Sequence, residues 1–395
     1  MRTNTQLLAV ATLGHLSAVS VNAVGATYDL IKTYQGESFF EDWSYYGNYD
    51  NLTNGDAIWV NSTVGTADPQ LTYTTSSGNA IVKVDNTSTV AYNYKRNSVR
   101  LTSTDAYDIG SVWVMDALHV PYGCSVWPAF WSTGVGATWP ATGEIDTFEG
   151  VNNQAGNQMA LHTADGCNLV QDSSVPFTAA VNYTNCYVEA NDNSGCTVID
   201  GNSTSYGEAF ATAGGGVWVT EFATDGISIW FFSRANIPDA VSSASSSIDT
   251  TKLGERTAFW SPNGCDIASF FKPQELVLDI TLCGDWAGKA ATLQSTGCAA
   301  LTGTNTCYST YVLDANNYDT AYFEIQYIKV YSTSSATNAS AVLATAAATT
   351  ARATTASSTS RASATASSTS GVERQIFVNC WTVAFFCLLG LSALL

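Results

Sequence analysis

The chain has 395 residues, of which only 12% are Asp, Glu, Lys or Arg and 46% are hydrophobic, so a large core is available and general disorder is excluded. A net charge of −18 argues against a nucleic-acid surface, which needs clustered Lys and Arg opposite phosphates. With three His, one of them (His15) in a leader segment, a His-built metal centre is excluded and no cofactor is expected.

Residues 1–23 read as a secretory signal. Arg2 precedes an apolar run from Leu7 to Val21 that is too short to span a bilayer, and small residues follow it. Val21-Asn22-Ala23 and Val24-Gly25-Ala26 both fit the cleavage pattern, which puts the cut after residue 23 or as late as 26.

The body, residues 27–331, reads as β throughout. Runs such as Ala57–Val60, Gly110–Met115, Val217–Thr220, Ile227–Phe232 and Leu276–Leu282 are rich in branched and aromatic residues. Turn clusters at Ser77-Gly78, Asn152-Asn153, Thr224-Asp225-Gly226 and Asn263-Gly264 separate them. The closing run, Tyr322–Tyr331, alternates as a strand with one wet face. No amphipathic helix of ten or more residues stands out, so many short strands with Gly-rich turns predict an all-β sandwich or jelly roll.

Between residues 332 and 371 the chain is almost entirely Ser, Thr and Ala, an expected O-glycosylated stalk with no apolar face to bury. Residues 372–395 read as a GPI-attachment signal: small residues at Ser367–Gly371, the polar spacer Glu373-Arg374-Gln375, then the apolar tail Ile376–Leu395. Spacer length places the acceptor near Ser368, and the absence of a basic stop after the tail disfavours a transmembrane anchor. The expected location is therefore the cell surface, with a membrane tether and a monomeric body. Sequons at Asn51, Asn61, Asn86, Asn182, Asn202 and Asn338 fit a glycosylated exterior protein.

Without its ends the body carries about −21, which suits neutral polymers and disfavours polyanions. Setting aside Cys380 and Cys387 of the tail leaves an even set of cysteines for an oxidising compartment. Cys298 with Cys307, and Cys186 with Cys196, are candidate local pairs. No CxxC is present, which removes zinc and redox readings.

One segment carries chemistry: Gly143-Glu-Ile-Asp-Thr-Phe-Glu-Gly150. On a strand Glu144 and Asp146 share a face, whereas Glu149 has the wrong parity. A β-bulge around Thr147-Phe148 returns Glu149 to that face and sets two Glu side chains leaning toward each other. Paired carboxyls of this kind perform retaining acetal hydrolysis, with Asp146 hydrogen-bonded to one Glu and raising a neighbour's pKa as a like charge. The alternative is a solvated acidic strand. Trp127, Trp131 and Trp139 just upstream tip the balance, because indole faces stack on sugar rings beside carboxylates that handle the acetal.

Tyr122-Gly-Cys-Ser-Val-Trp-Pro-Ala-Phe-Trp131 and Trp139-Pro-Ala-Thr-Gly-Glu-Ile-Asp-Thr-Phe-Glu-Gly-Val-Asn152 resemble the fungal laminarinase-type branch of glycoside hydrolase family 16. The resemblance extends to Tyr34–Phe40, Leu161-His-Thr163 and the closing strand. It implies a concanavalin-like β-jelly-roll sandwich of two antiparallel sheets and retaining endo-hydrolysis of β-1,3 or mixed β-1,3/1,4-glucans. By position it implies Glu144 as nucleophile, Asp146 as its assistant and Glu149 as acid/base. It further implies Trp131, Trp139 and Trp286 (in Cys283-Gly-Asp-Trp-Ala-Gly288) as sugar-binding aromatics, and His162 as a hydrogen-bonding group in the cleft. Family members that cross-link wall polymers usually carry ExDxE, so ExDxxE favours hydrolysis, although anchor and stalk also suit a wall transglycosylase. A non-catalytic glucan lectin gains nothing from three clustered carboxylates, and no G-x-S-x-G supports a serine hydrolase.

Overall fold

The computed structural model describes residues 26–333; the expected leader, the anchor signal and all but the first two residues of the expected stalk lie outside the described residues. Asn338 and Ser368 lie outside them as well. Among the described residues no helix is long and apolar enough to cross a membrane.

Two antiparallel sheets dominate. The nine-stranded sheet runs Ser247–Asp249, Thr27–Tyr34, Tyr322–Ser332, Ser111–His119, Gly216–Ala223, Gly226–Ser233, Ala258–Trp260, with Ala80–Lys83 and Thr72–Thr74 joined beside Tyr322–Ser332. The eight-stranded sheet runs Ala180–Val181, Cys196–Ile199, Gln158–His162, Glu144–Glu149, Val126–Gly134, Gln274–Leu282, Arg100–Tyr107, Trp43–Tyr45. The branched and aromatic runs of the sequence are the long central strands, and the Thr224-Asp225 turn closes a tight hairpin in which Ala223 faces Gly226. This is the expected jelly-roll sandwich. A third, small sheet of Asn48–Tyr49, Ala57–Trp59 and Arg96–Ser98 was not anticipated, and its last two strands run parallel.

The core lies between the sheets and is heavily aromatic. Phe148 of the eight-stranded sheet meets Trp218 at 5.0 Å and Phe323 at 5.9 Å, both from the other sheet. A second apolar cluster covers the outer side of the nine-stranded sheet, where Val241, Ala244, Ile248 and Leu253 pack on Val114, Val219 and Trp230. The closing strand therefore lacks a fully wet face. Tyr331 is buried and donates its hydroxyl to the Ala244 carbonyl at 2.7 Å, because the 237–253 segment folds back over it.

All eight body cysteines are paired, as Cys124–Cys298, Cys167–Cys265, Cys186–Cys196 and Cys283–Cys307. The Cys186–Cys196 pair agrees with the sequence reading; the Cys298–Cys307 pair does not. The short helix Ala290–Ser295 carries Cys298 back to the segment entering the Val126–Gly134 strand, while Cys307 docks at the end of Gln274–Leu282. Spatial proximity imposed by the sheet overrides sequence proximity. Cys124–Cys298 closes the longest loop, with a separation of 174 residues. Its removal in a Cys124→Ala/Cys298→Ala variant should cost about 2–5 kcal/mol, read as a lowered denaturation midpoint. Peptide mapping without reduction should recover the four cross-links above and no alkylatable body thiol.

Candidate active site

The carboxylate strand Glu144–Glu149 sits between Val126–Gly134 and Gln158–His162. Its register slips against both neighbours. Phe130 and Trp131 face Phe148 and Asp146, and on the other side Asp146 and Glu149 face Ala160 and Gln158, so Thr147 is the one extra residue. This is the expected bulge. Ile145, Thr147 and Phe148 turn inward: Phe148 enters the core, and Thr147 Oγ1 accepts the Trp113 indole N–H at 3.2 Å and meets Thr220 Oγ1 at 2.7 Å. Glu144, Asp146 and Glu149 are left on the outer face.

Asn157, fully buried, clamps the bulge. Its side chain accepts the Glu149 backbone N–H at 2.9 Å and donates to the Thr147 carbonyl at 2.9 Å. At the other end of the strand, Gly143 has φ +75°, and a Cβ there would stand 2.3 Å from the Phe271 ring, so only glycine fits the turn into Glu144.

An open cleft of about 820 Å³ crosses this face. Every site residue singled out in the sequence lines it: Glu144, Asp146, Glu149, Trp131, Trp139, Trp286 and His162. Each glutamate is held by an indole. Trp139 Nε1 donates to Glu144 Oε2 at 2.6 Å, and Trp127 Nε1 donates to Glu149 Oε1 at 2.9 Å. Trp286 packs edge-on against Trp127 with ring centres 5.5 Å apart. Trp131 lies under the Arg100 guanidinium at 4.8 Å, and Arg100 in turn pairs with buried Asp279 at 3.0 Å.

Asp146 differs from expectation. Its ion-pair partner is His162, with Nε2 3.3 Å from Oδ2, and not a glutamate. Gln158–His162 runs alongside the carboxylate strand with His162 directly opposite Glu144, and that register directs the imidazole at the acids. His162 Nε2 also lies 4.0 Å from Glu144 Oε1.

Burial is the largest cause raising both the Glu144 and Glu149 carboxyls well above the ordinary range, and the Asp146 charge adds to it. The indole N–H groups and His162 work in the opposite direction. For His162, burial opposes the cation but is outweighed by Asp146, Glu144 and Glu149, which raise it to about 9. Burial also raises Asp279 to about 6 despite Arg100.

Trp127 stood in the sequence as part of an aromatic group without a role of its own. Arg100, Asp279 and Asn157 carried no signal, since their partners are brought up by strand pairing. The described sequons differ in setting: Asn51, Asn61, Asn182 and Asn202 are exposed, whereas Asn86 is half-buried and donates to Asp319 at 2.8 Å. Asn182 stands at the cleft.

The profile described as "XgeA-like, catalytic GH16 domain" matches residues 43–331. A probable glycosidase from Schizosaccharomyces pombe is 36% identical over 77% of this chain and 69% of its own length. A probable endo-1,3(4)-beta-glucanase from Aspergillus fumigatus is 38% identical over 84% of this chain, which spans 50% of that relative. Among solved structures, laminarinase 16A from Phanerochaete chrysosporium, with beta-glucans in its donor and acceptor sites, superposes with a TM-score of 0.72 at 33% identity, covering 78% of this chain and 100% of that one. An elongating family 16 β-1,3-glucosyltransferase superposes at 0.70 with 38% identity, covering 77% and 100%. With its bulged acidic strand, its indole-held glutamates and these relatives, the chain belongs to glycoside hydrolase family 16, in the XgeA-like group.

Proposed function

We propose that the protein is a retaining endo-β-glucanase acting on β-1,3 or mixed β-1,3/1,4-glucans through a covalent glycosyl-enzyme. The observation that carries this reading is the pair of half-buried glutamates on one face of one strand, each gripped by a tryptophan of the same open cleft. Glucanase relatives over most of the chain support it.

The electrostatics support the division of roles implied by position. Two carboxyls raised by burial beside Asp146 hold one proton between them at near-neutral pH. His162 lowers both carboxyls and stands 4.0 Å from Glu144, which supports the charge on Glu144 and the proton on Glu149. Glu144 attacks the anomeric carbon while Glu149 protonates the departing glycosidic oxygen. Esterification removes the charge of Glu144, the Glu149 carboxyl becomes more acidic, and it then takes a proton from the incoming water. Asp146 holds His162 and, through it, the charge state of the nucleophile. Trp131, Trp139 and Trp286 offer apolar faces to neutral sugar rings, which an acidic body leaves undisturbed.

A second reading, transfer to another glucan, is favoured by one observation. The cleft extends beyond both flanks of the carboxylate strand, to Asn182 and Tyr183 on one side and Trp59 and Arg100 on the other, so the ester has room for a sugar acceptor. The same intermediate serves both outcomes.

Glu144→Ser should lose both steps and resist rescue by a good leaving group. Glu149→Gln should lose glucan cleavage yet still release an activated aryl leaving group, and azide should then yield the β-glycosyl azide; an α-azide product would exchange the two roles.

Stability provides a separate check. Because the folded pKa of Glu149 is raised above its unfolded value of 4.5, its burial costs nothing well below pH 4.5 and destabilises increasingly as pH rises above it. Glu149→Gln escapes that cost. Its Tm should exceed that of the wild type by roughly 2–4 °C or more at pH 7, with the gap closing at acidic pH.

We further propose that the chain acts at the cell surface, tethered through a GPI anchor near Ser368 and raised on its Ser/Thr/Ala segment, in wall remodelling or glucan degradation. The order of small residues, polar spacer and apolar tail supports this. Phosphatidylinositol-specific phospholipase should release it from membranes; release by detergent alone, with the tail still attached, would mean a transmembrane anchor.

A further inference from the structure

Two loops from opposite sides of the carboxylate strand meet at the cleft. One enters Cys196–Ile199, which lies two strands to one side of Glu144–Glu149; the other leaves Gln274–Leu282, two strands to the other side. Those strands stand roughly 19 Å apart at ~4.8 Å per step. Their loops nevertheless touch, with Lys289 Nζ 2.7 Å from Asp192 Oδ2, and both residues border the cleft. They also start from opposite ends of the sheet. The first loop begins at the His162 end, where Cys196 pairs with Leu161; the second begins where Leu282 pairs with Val126, near Trp127 and Glu149.

Each side of this contact is stapled. The first loop is closed by Cys186–Cys196, and Gly195 at φ +63° brings it against the His162 ring, where a Cβ would meet Nε2 at 3.0 Å. Its tip, Asn191-Asp192-Asn193, holds three successive left-handed conformations at φ 53°, 56° and 60°, which Asn and Asp bear better than other side chains. On the far side, Cys283–Cys307 and Cys124–Cys298 bracket Lys289, and Asn152 donates to the Ala287 carbonyl at 3.3 Å. The contact between these braced loops is weak by comparison, since Asp192 and Lys289 side chains are 85% and 51% exposed.

We propose that the Asp192–Lys289 ion pair is a strap over the cleft, which opens to admit an internal stretch of glucan sideways and recloses to retain the chain after a cut. This rests on the glucanase reading above. Retention makes successive cuts on one chain more frequent, so the strap sets the balance between repeated and scattered attack. An exposed pair of this kind opens readily and responds to salt, as a gate for a long neutral polymer requires.

The experiment compares the wild type, Lys289→Ala, Asp192→Ala and the reversed pair Asp192→Lys/Lys289→Asp on soluble mixed-linkage glucan, following viscosity and reducing ends together. The single variants should lose roughly two- to five-fold more viscosity per bond cleaved. High salt should move the wild type toward them and leave them unchanged, and the reversed pair should restore wild-type behaviour. Hydrogen exchange over residues 187–195, measured without substrate, should quicken in both single variants and slow again in the reversed pair. Unchanged exchange in the single variants would overturn the strap whatever the activity. Quickened exchange with unchanged attack pattern would overturn its role in retention. A wild type that cleaves no glucan defeats the glucanase reading and the retention role, while exchange still decides whether the loops are tied.

Discussion

Thr147 and Phe148, neighbours on one strand, both face the interior, and the rest of the site depends on that departure from alternation. Were these six residues to alternate strictly, with no bulge, Glu149 would point into the aromatic core and Phe148 into the cleft. The bulge is stabilised from three directions: Phe148 is anchored among Trp218 and Phe323, Thr147 is held by Trp113 and Thr220, and Asn157 bridges the backbone on either side of Phe148. Interactions of the inner face thus determine which carboxyl reaches the outer one. Packing and chemistry are two faces of the same six residues.

Concentrating acids in a body poor in charge raises the cost of ionisation, and the fold meets it unevenly. Asp279 has Arg100, a full cation at 3.0 Å. Among the described residues the Glu144–Asp146–Glu149 group has one cation within ion-pair distance, His162, together with two indole donors. One imidazolium leaves the group short of positive charge, Glu144 and Glu149 are raised, and that shortage suits the acid catalysis proposed for the strand.

Much of this was legible in the chain itself. Branched and aromatic runs marked the long strands, and the five-residue spacing from Glu144 to Glu149 required a bulge once both were taken to act on one substrate. Two of the tryptophans upstream of the acids, 5 and 22 residues from their partners, proved to be the hydrogen-bond donors to Glu144 and Glu149. What stayed hidden depends on contacts between distant segments. Arg100 and Asp279 are 179 residues apart, and nothing local to either announces the pair. Cys298 lies near Cys307 in the chain, yet a short helix turns it toward Cys124. Tyr331 alternates as a solvent-facing residue would, and is covered only because residues 237–253 return over the sheet. The partner of Asp146 is hidden for the same reason: the acid string alone suggests a hydrogen bond to a glutamate, whereas His162 arrives from the next strand, in a register that spacing along the carboxylate strand does not encode.

The fate of the glycosyl-enzyme follows from geometry as much as from the acids. In the role proposed for it, Glu149 would deprotonate whichever hydroxyl reaches the ester, and neither its raised pKa nor its position distinguishes water from the hydroxyl of a sugar. Selection falls to the acceptor half of the cleft. Stacking on flat aromatic faces holds a neutral sugar without fixing it as tightly as charge pairing would, so a long acceptor outcompetes water only where several contacts act together. A cleft that continues past the carboxylate strand on both sides supplies such contacts to polymers and few to short fragments. On the proposed reading, hydrolysis and transfer would then be set by acceptor length and concentration over one set of catalytic groups.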